Sequence, residues 1–415
     1  MYRATGGYHE RMSYPLPRLR MDLDFMPSPV PDRPGLLIRD PYRYSDTTLI
    51  VPPGLTACLQ LFDGQSTELD MREMLVRMTG TLDVGDIVKH LVETLDKAGF
   101  VHNEVFERMV DARHAEFAAA PTRESVHAGS AYPDEAPELR KLLGAWMEGE
   151  TADECDSLIG IAAPHVSPEG GWQSYRAAFG ALRPEYADRT FIVLGTSHYG
   201  EPGRFGLTRK SFVTPYGATR TDLALVNELE ANAPGAVAME DYCHSFEHSI
   251  EFQVVFLQHL FGAGVRVVPI LCGSFGRSIY QGGRPEDDEA VRRFLEALGE
   301  INAREGRKLL WVLGVDMAHM GRRYGDSEAM IAGEGPMAGV AERDQARIAS
   351  ISSGDAAGFW AQVRENHDEL KWCGSAPFYS FLKAVPEARG QLRRYEQWNI
   401  DEQSVVSFAG MAFRA

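Results

Sequence analysis

Four short apolar runs in the later part of the chain alternate with helical patterns, and this alternation restricts the chain to few folds. Each run is rich in Leu, Ile and Val and is bounded by turn residues, which predicts strands over residues 158–163, 191–194, 265–271 and 309–315. Apolar residues recur at helical spacing over residues 172–182, 221–231, 249–260 and 286–303. Because the strand runs are almost uninterrupted in apolar residues, both sheet faces are expected to be buried. The sequence therefore predicts a layered, mostly parallel α/β sheet flanked by helices.

The residues before this pattern divide into three further segments. Six prolines between residues 14 and 36 predict an extended, proline-rich lead-in over residues 1–35. Strand and helix patterns follow, with Asp83 as a helix N-cap and Gly99 as a C′ residue, and they outline a small winged-helix-like α+β domain over residues 36–116. The Ala- and Pro-containing stretch at residues 117–126 is predicted to be a linker, which leaves residues 127–415 as the main domain.

Charge and cysteine usage exclude several kinds of partner. The formal net charge is −17, and residues 1–126 hold 14 Lys and Arg against 19 Asp and Glu. Since nucleic acids and anionic membrane surfaces bind clustered Lys and Arg, neither is an expected partner. No stretch reaches the roughly 18 apolar residues of a membrane-spanning helix. Five widely spaced cysteines do not form a disulfide pattern, so a soluble cytoplasmic protein is expected.

Two histidines stand directly after predicted strands and suggest a metal site. His165 follows Ile-Ala-Ala-Pro, and His198 follows Leu-Gly-Thr-Ser. The carboxyl ends of parallel strands meet at one edge of a sheet, where two neutral imidazoles can converge on one ion. Either histidine alone could instead be a hydrogen-bonded loop residue. A third strand end brings Asp316, which can orient a ligand imidazole or cap a turn, and His319, which can exchange protons.

The string His244-Ser-Phe-Glu247-His248 offers a rival zinc site. It matches the His-x-x-Glu-His pattern of inverzincin peptidases, in which both histidines share one helical face. Helical periodicity here starts only near residues 247–249, so His244 is expected to precede the helix. The favoured interpretation therefore places Glu247 and His248 as polar groups that line the cleft at a helix N-terminus.

Cys373 is the cysteine with a predicted chemical role. It lies in Trp-Cys-Gly-Ser, before a predicted helix over residues 378–384. A helix N-terminus and a nearby cation or metal both lower the pKa of a thiol, which makes its thiolate a better ligand or nucleophile. The remaining cysteines are predicted to be buried and inert: Cys58, Cys155, Cys243 and Cys272.

Taken in order, these motifs resemble the Memo family, whose bacterial members are paired with an AMMECR-like protein and a radical SAM protein. The resemblance covers about residues 127–415. It rests on His-Ala-Gly-Ser-Ala-Tyr-Pro at residues 127–133, Ala-Pro-His165, Leu-Gly-Thr-Ser-His198, Glu247-His248-Ser-Ile-Glu251, Asp316-Met-Ala-His319, Cys373-Gly and Asp401-Glu-Gln-Ser-Val-Val-Ser-Phe.

The resemblance implies a fold shared with class III extradiol dioxygenases and a single metal ion held by two His and one Cys. By position these ligands are His165, His198 and Cys373, with iron as the expected metal and copper or zinc as alternatives. The implied groups around the metal are His248, Asp316 and His319, and these three together with Glu247 are the candidate catalytic residues. The resemblance also implies a radical SAM protein and an AMMECR-like protein as partners.

Three functional hypotheses follow. The leading one is a metal-binding protein whose site performs nonheme redox chemistry, or is a remnant of such an oxidoreductase. The second is a non-enzymatic scaffold whose cleft binds a small molecule or a peptide segment. The third is a zinc peptidase that uses His244, Glu247 and His248.

Overall fold

The computed structural model describes residues 14–149 and 157–415. The contacts divide the chain into two compact units, of which the first ends at Phe117 and the second begins at Ala118. Residues 1–13 of the predicted lead-in and Cys155 lie outside the described residues. Within the described ranges, none of the helices combines the length and apolar character that crossing a membrane requires.

The first unit packs helices against a small antiparallel sheet. Its elements are β1 (Asp24–Pro27), β2 (Leu36–Arg39), β3 (Thr48–Val51), α1 (Pro53–Thr56), α2 (Glu68–Thr79), α3 (Gly85–Lys97) and α4 (Glu104–Ala119). The strands pair in the order β1-β2-β3. α3 buries Val88, Leu91 and Leu95, which recur at helical spacing and supply one wall of the core.

Several boundaries predicted for this part of the chain are wrong. The predicted lead-in contains β1, which pairs with β2. A proline is tolerated in this strand because Pro27 is its last residue and β1 lies at the edge of the sheet, where the missing N–H costs no hydrogen bond between strands. Arg20 is also fully buried and donates to both carboxylate oxygens of Asp40 at 2.9 and 3.1 Å. Asp83 does not cap α3, whose N-cap residue is Val84. The winged-helix-like assignment of this unit stays a prediction.

The predicted linker at residues 117–126 contains regular structure. α4 continues to Ala119, and Thr122–Arg123 form the short strand β4. Alanines favour the helix extension, and a buried ion pair of Arg123 fixes the strand. Half of this segment is therefore helix or strand.

The second unit contains a ten-stranded sheet, as far as the described residues define it. The strands of this sheet are β5 (Leu158–Ala163), β6 (Thr190–Thr196), β7 (Phe205–Leu207), β10 (Arg220–Thr221), β11 (Val237–Met239), β12 (Arg266–Cys272), β13 (Leu309–Gly314), β14 (His319–Gly321), β15 (Arg389–Asp401) and β16 (Ser404–Arg414). The unit also contains a separate small sheet, which consists of β4, β8 (Ser211–Thr214) and β9 (Gly217–Ala218). Its helices are α5 (Ala136–Met147), α6 (Pro168–Phe179), α7 (Leu223–Asn232), α8 (Glu251–Phe261), α9 (Gly276–Gln281), α10 (Glu289–Glu305), α11 (Pro336–Ser352), α12 (Ala356–Arg364) and α13 (Ser375–Ala384).

The centre of this sheet is parallel, as predicted. The main strand order is β11-β7-β12-β6-β13-β5-β16-β14, and β12, β6, β13 and β5 pair in parallel. β16 runs antiparallel to β5 and forms a long hairpin with β15. The side chains of β6 and β13 are buried along their whole length. The prediction of a mostly parallel α/β sheet flanked by helices is confirmed.

Two glycines allow the segment before α8 to approach the carboxyl edge of the sheet. Gly195 and Gly314 are register partners on β6 and β13. A Cβ atom on Gly195 would meet the Ser249 hydroxyl, and one on Gly314 would overlap the Ser249 carbonyl. Ser249 in turn donates its hydroxyl hydrogen to the carbonyl of Thr196 at 2.7 Å. The residues that precede α8 are thereby held directly above the ends of the central strands.

Gly314→Ala is expected to destabilise the protein by about 1–3 kcal/mol, because the new methyl group overlaps backbone that has no room to move. Urea unfolding followed by circular dichroism measures the change. Gly144→Ala in α5 is the matched control, since its methyl group would meet nothing within 4 Å and alanine favours the helix. Equal stability of the two variants would contradict this close approach.

Candidate metal centre

His165 stands two residues beyond β5 and is held from both sides. Its side chain is only 2% exposed. The backbone N–H donates to Asp316 Oδ1 at 2.9 Å, and ring Nδ1 lies 3.0 Å from the carbonyl oxygen of Gly314. Since a carbonyl only accepts, Nδ1 carries a hydrogen and Nε2 is the atom left for a ligand role. Burial lowers the pKa of His165, but the charges of Asp316 and Cys373 outweigh it and raise the pKa to about 9.

His198 follows β6 by two residues and faces the same place. Its backbone N–H donates to Glu247 Oε2 at 3.0 Å, and its Nδ1 lies 3.0 and 3.1 Å from the two carboxylate oxygens. Burial opposes the charged imidazole, yet the Glu247 carboxylate raises the pKa of His198 well above its ordinary value. With Nδ1 engaged, Nε2 is again the free ring nitrogen.

His248 completes a three-histidine group. The ligand nitrogens of His165, His198 and His248 all lie within 4.8 Å of one another, which is close enough to hold one metal ion. Its Nδ1 lies 3.1 Å from Glu247 Oε1. Burial lowers the pKa of His248 to about 4 in spite of that carboxylate, so the ring is neutral at pH 7. The favoured interpretation of the sequence made His248 a cleft residue, and only the rival zinc-peptidase interpretation made it a metal ligand.

Glu247 lies behind two of the imidazoles and does not line an open cleft. It is 2% exposed and contacts both His198 and His248. Although burial raises the pKa of a carboxyl group, these two imidazoles hold the pKa of Glu247 well below its usual range. A carboxylate in this position fixes the tautomer and direction of both rings. Its geometry therefore suits orientation of histidines better than the cleft-lining role predicted from the sequence.

Cys373 lies beside this group, before α13. Its Sγ is 3.2 Å from His165 Nε2 and 3.7 Å from the carbonyl oxygen of Asp316. Burial opposes the thiolate, but His165 and His319 lower the pKa of Cys373 to about 5. The carbonyl of Cys373 accepts a hydrogen bond from the Thr196 hydroxyl at 3.1 Å, which ties this loop to the end of β6.

Asp316 and His319 flank the site on the segment after β13. Asp316 is 3% exposed, and its Oδ2 lies 3.5 Å from His165 Nε2. His319 directs Nδ1 at the carbonyls of Met317 and Lys371, at 2.9 and 3.2 Å. His319 is not a member of the three-histidine group.

The zinc-peptidase interpretation does not match this arrangement. His244 lies in a short 3-10 turn, Tyr242–Ser245, and α8 begins only at Glu251. Its Nε2 lies 3.0 Å from the carbonyl oxygen of Gly206, away from His165 and His198. Because the two histidines of the motif do not share a helical face, the pattern lacks the geometry that zinc binding of this kind requires.

Comparison with known proteins identifies the family. A sequence model of the family described as Memo-like protein matches residues 123–412. A MEMO1 family protein of Aquifex aeolicus is 25% identical over 381 residues, which cover 91% of this chain and 95% of the relative. One from Thermococcus kodakarensis is 28% identical over 303 residues, or 69% of this chain and 97% of the relative. Because the family match spans most of the chain, this protein belongs to the Memo-like family.

Proposed function

We propose that the second unit holds one redox-active metal ion, iron or copper, through His165, His198 and Cys373. The observation that carries this proposal is the convergence of imidazole nitrogens within 4.8 Å, with a sulfur atom 3.2 Å from one of them. A thiolate is a softer donor than a carboxylate and favours redox-active metals over hard cations. The proposed chemistry is nonheme oxidation of a small molecule.

The donors present fit such a metal. The Nδ1 atoms of His165 and His198 are engaged by Gly314 and Glu247, so both rings offer Nε2. The low pKa of Cys373 favours its thiolate at neutral pH, which is the form that binds metals. Binding would displace the proton that the elevated pKa values of the two histidines retain. A bound iron or copper ion would supply a one-electron couple and an open coordination position.

The other residues of the site then have distinct roles. His248 is neutral and 32% exposed, so its free ring nitrogen can accept a proton from a substrate in the cleft. His319, whose Nδ1 is engaged by two carbonyls, keeps its second ring nitrogen for proton transfer and is the second candidate for that role. Asp316 fixes the His165 backbone, and Glu247 orients two rings.

Metal analysis and oxygen uptake test the proposal together. Protein purified without added metal is expected to contain iron or copper and, with a reductant, to consume oxygen. Cys373→Ser is expected to lower the metal affinity at least about tenfold, because the hydroxyl of serine is a far weaker donor than a thiolate. Cys272→Ser, which alters a buried thiol on β12, is the control. Metal-free wild-type protein that cannot be loaded would refute the proposal.

A scaffold function is the alternative, and the presence of the first unit supports it. The family match starts at residue 123, so the first unit lies outside the matched region. We propose that residues 14–117 bind a partner protein, with radical SAM and AMMECR-like proteins as the candidates. Wild-type protein that binds such a partner but retains no metal and takes up no oxygen would favour the scaffold over the oxidoreductase.

A further inference from the structure

Two loops that carry site residues converge on one buried carboxylate, Asp344 of α11. Asp344 is fully buried. Its Oδ1 accepts from Trp372 Nε1 at 2.7 Å, and its Oδ2 accepts from the hydroxyls of Tyr395 and Ser407 at 2.7 and 2.6 Å. Both oxygens of this side chain are therefore engaged, Oδ1 by one donor and Oδ2 by two.

The first loop is the one that ends at Cys373. Trp372, the residue directly before it, is 2% exposed, and its ring lies 5.2 Å from the Arg347 guanidinium carbon. Arg347 follows Asp344 by three residues on α11 and donates to Asp368 Oδ1 at 2.7 Å. Asp368 Oδ2 accepts the backbone N–H of Trp372 at 3.0 Å. One turn of α11 thus contacts both ends of residues 368–372, the segment that directly precedes Cys373.

This loop needs such a grip because its backbone is strained. Asn366, His367, Asp368 and Lys371 all have positive φ, between 51° and 55°. Residues with a Cβ rarely adopt this conformation, because it brings the side chain too close to the backbone. Such conformations persist only when the surrounding structure holds them. The contacts to Asp344 and Arg347 are among the tertiary contacts that do so here, together with the ion pair between Lys371 and Asp326.

The second loop carries Asp316 and His319. Ser407 of β16 receives the N–H of Ala318 on its hydroxyl oxygen at 2.8 Å. Its backbone also accepts from Met317 N at 2.8 Å and donates to the Ala318 carbonyl at 2.9 Å. Because the Ser407 hydroxyl donates its hydrogen to Asp344, its oxygen is oriented to accept the N–H of Ala318. The same carboxylate thus helps to hold residues 317 and 318.

We propose that Asp344 is a positioning residue of the metal centre, which sets the Cys373 sulfur against the two imidazoles by holding the Cys373 loop and the Asp316 loop together. This inference rests on the proposed function. Asp344 touches neither the ligand atoms nor the cleft, so it acts through Trp372 and Ser407. Loss of its carboxylate should therefore disturb the bond between the Cys373 sulfur and a metal ion. The binding of the ion by the two histidines should be affected less.

Cobalt binding gives a direct test. Added Co²⁺ reports its donors through absorption, because a near-ultraviolet band arises when a thiolate is bound to it. Asp344→Asn keeps the side-chain volume but leaves one acceptor oxygen for three donors, and Trp372→Phe removes the indole donor alone. Both variants are expected to lose most of the thiolate band, with Co²⁺ affinity lowered about 10- to 100-fold. Tyr395→Phe removes the one donor to Asp344 that holds neither loop, so this variant should retain both the thiolate band and the Co²⁺ affinity of the wild type.

The outcomes separate this inference from the proposed function. Wild-type protein that binds Co²⁺ without a thiolate band would overturn the proposed function and this inference with it. A normal band in the wild type that persists unchanged in folded Asp344→Asn and Trp372→Phe would overturn the inference alone. If Asp344→Asn does not fold, as judged by thermal melting, the band of Trp372→Phe decides.

Discussion

Replacing His165 with alanine is expected to leave the protein almost free of metal. His165 contacts each of the other candidate donors: its ring lies 5.0 Å from that of His198 and 5.1 Å from that of His248, and its Nε2 is 3.2 Å from the Cys373 sulfur. Loss of a residue that only supports a ligand already lowers metal affinity about 10- to 100-fold, so loss of a ligand should exceed this range.

The metal content of purified protein and its titration with Fe²⁺ or Cu²⁺ measure this loss. His90→Ala is the matched control, because His90 lies exposed on α3 in the first unit and is expected to leave metal binding unchanged. The His165→Ala protein should remain folded, since its small side chain leaves the hydrogen bond between its own N–H and Asp316 in place. An unchanged metal stoichiometry in this variant would contradict the proposed ligand set.

Removing the Glu251 carboxylate is expected to destabilise the second unit by about 3–5 kcal/mol, the range found when one partner of a buried ion pair is lost. Glu251 and Arg123 are 0% and 1% exposed and form an ion pair. Glu251 also accepts the backbone N–H groups of Val126 and His127 at 3.1 and 3.0 Å. Glu251→Leu would leave the Arg123 charge buried without its partner. Chemical unfolding of Glu251→Leu measures the effect.

An exposed pair provides the control for this experiment. Glu289 forms ion pairs with Arg292 and Arg293 on the surface of α10, and its side chain is 59% exposed. Glu289→Leu is expected to change the unfolding free energy far less, because water replaces the lost partner. Destabilisation of similar size in both variants would show that burial of the Arg123–Glu251 pair is not the cause.

The pH dependence of this effect has a defined sign. Burial raises the pKa of Glu251, but the Arg123 guanidinium outweighs it and lowers the pKa below its ordinary value. The ion pair therefore contributes stability above the unfolded pKa of about 4.3, and this contribution is lost as the pH falls through the folded pKa. The stability difference between wild type and Glu251→Leu should accordingly narrow on acidification below about pH 4.

Parallel strands were the most predictable part of the fold. The predicted range for β5 agrees with the structure to the residue, and the ends of β6, β12 and β13 agree to within two residues, because strands buried on both faces leave an apolar run in the sequence. The hairpin of β15 and β16 carried no prediction. β15 is half-exposed and contains several charged residues, so its sequence lacks an apolar run and its strand depends on pairing with β16.

The residues of the site also differ in how far the sequence could predict them. His165, His198 and Asp316 were predictable because each follows a recognisable strand within two residues. The place of His248 was not, since it depends on how closely the segment before α8 approaches the sheet, which Gly195 and Gly314 permit. Asp344 stands in no motif, and its connection to Trp372 and Ser407 exists only after elements far apart in sequence have packed.

Anomalous scattering across the iron, copper and zinc absorption edges tests the central claim most directly, on crystals grown without added metal. We expect one peak at the iron or copper edge, within bonding distance of the His165 and His198 rings and about 2.3 Å from the Cys373 sulfur, as for other metal–thiolate bonds. A peak bound by His165, His198 and His248 alone, with the sulfur beyond bonding distance, would contradict the claim, and so would the absence of any peak.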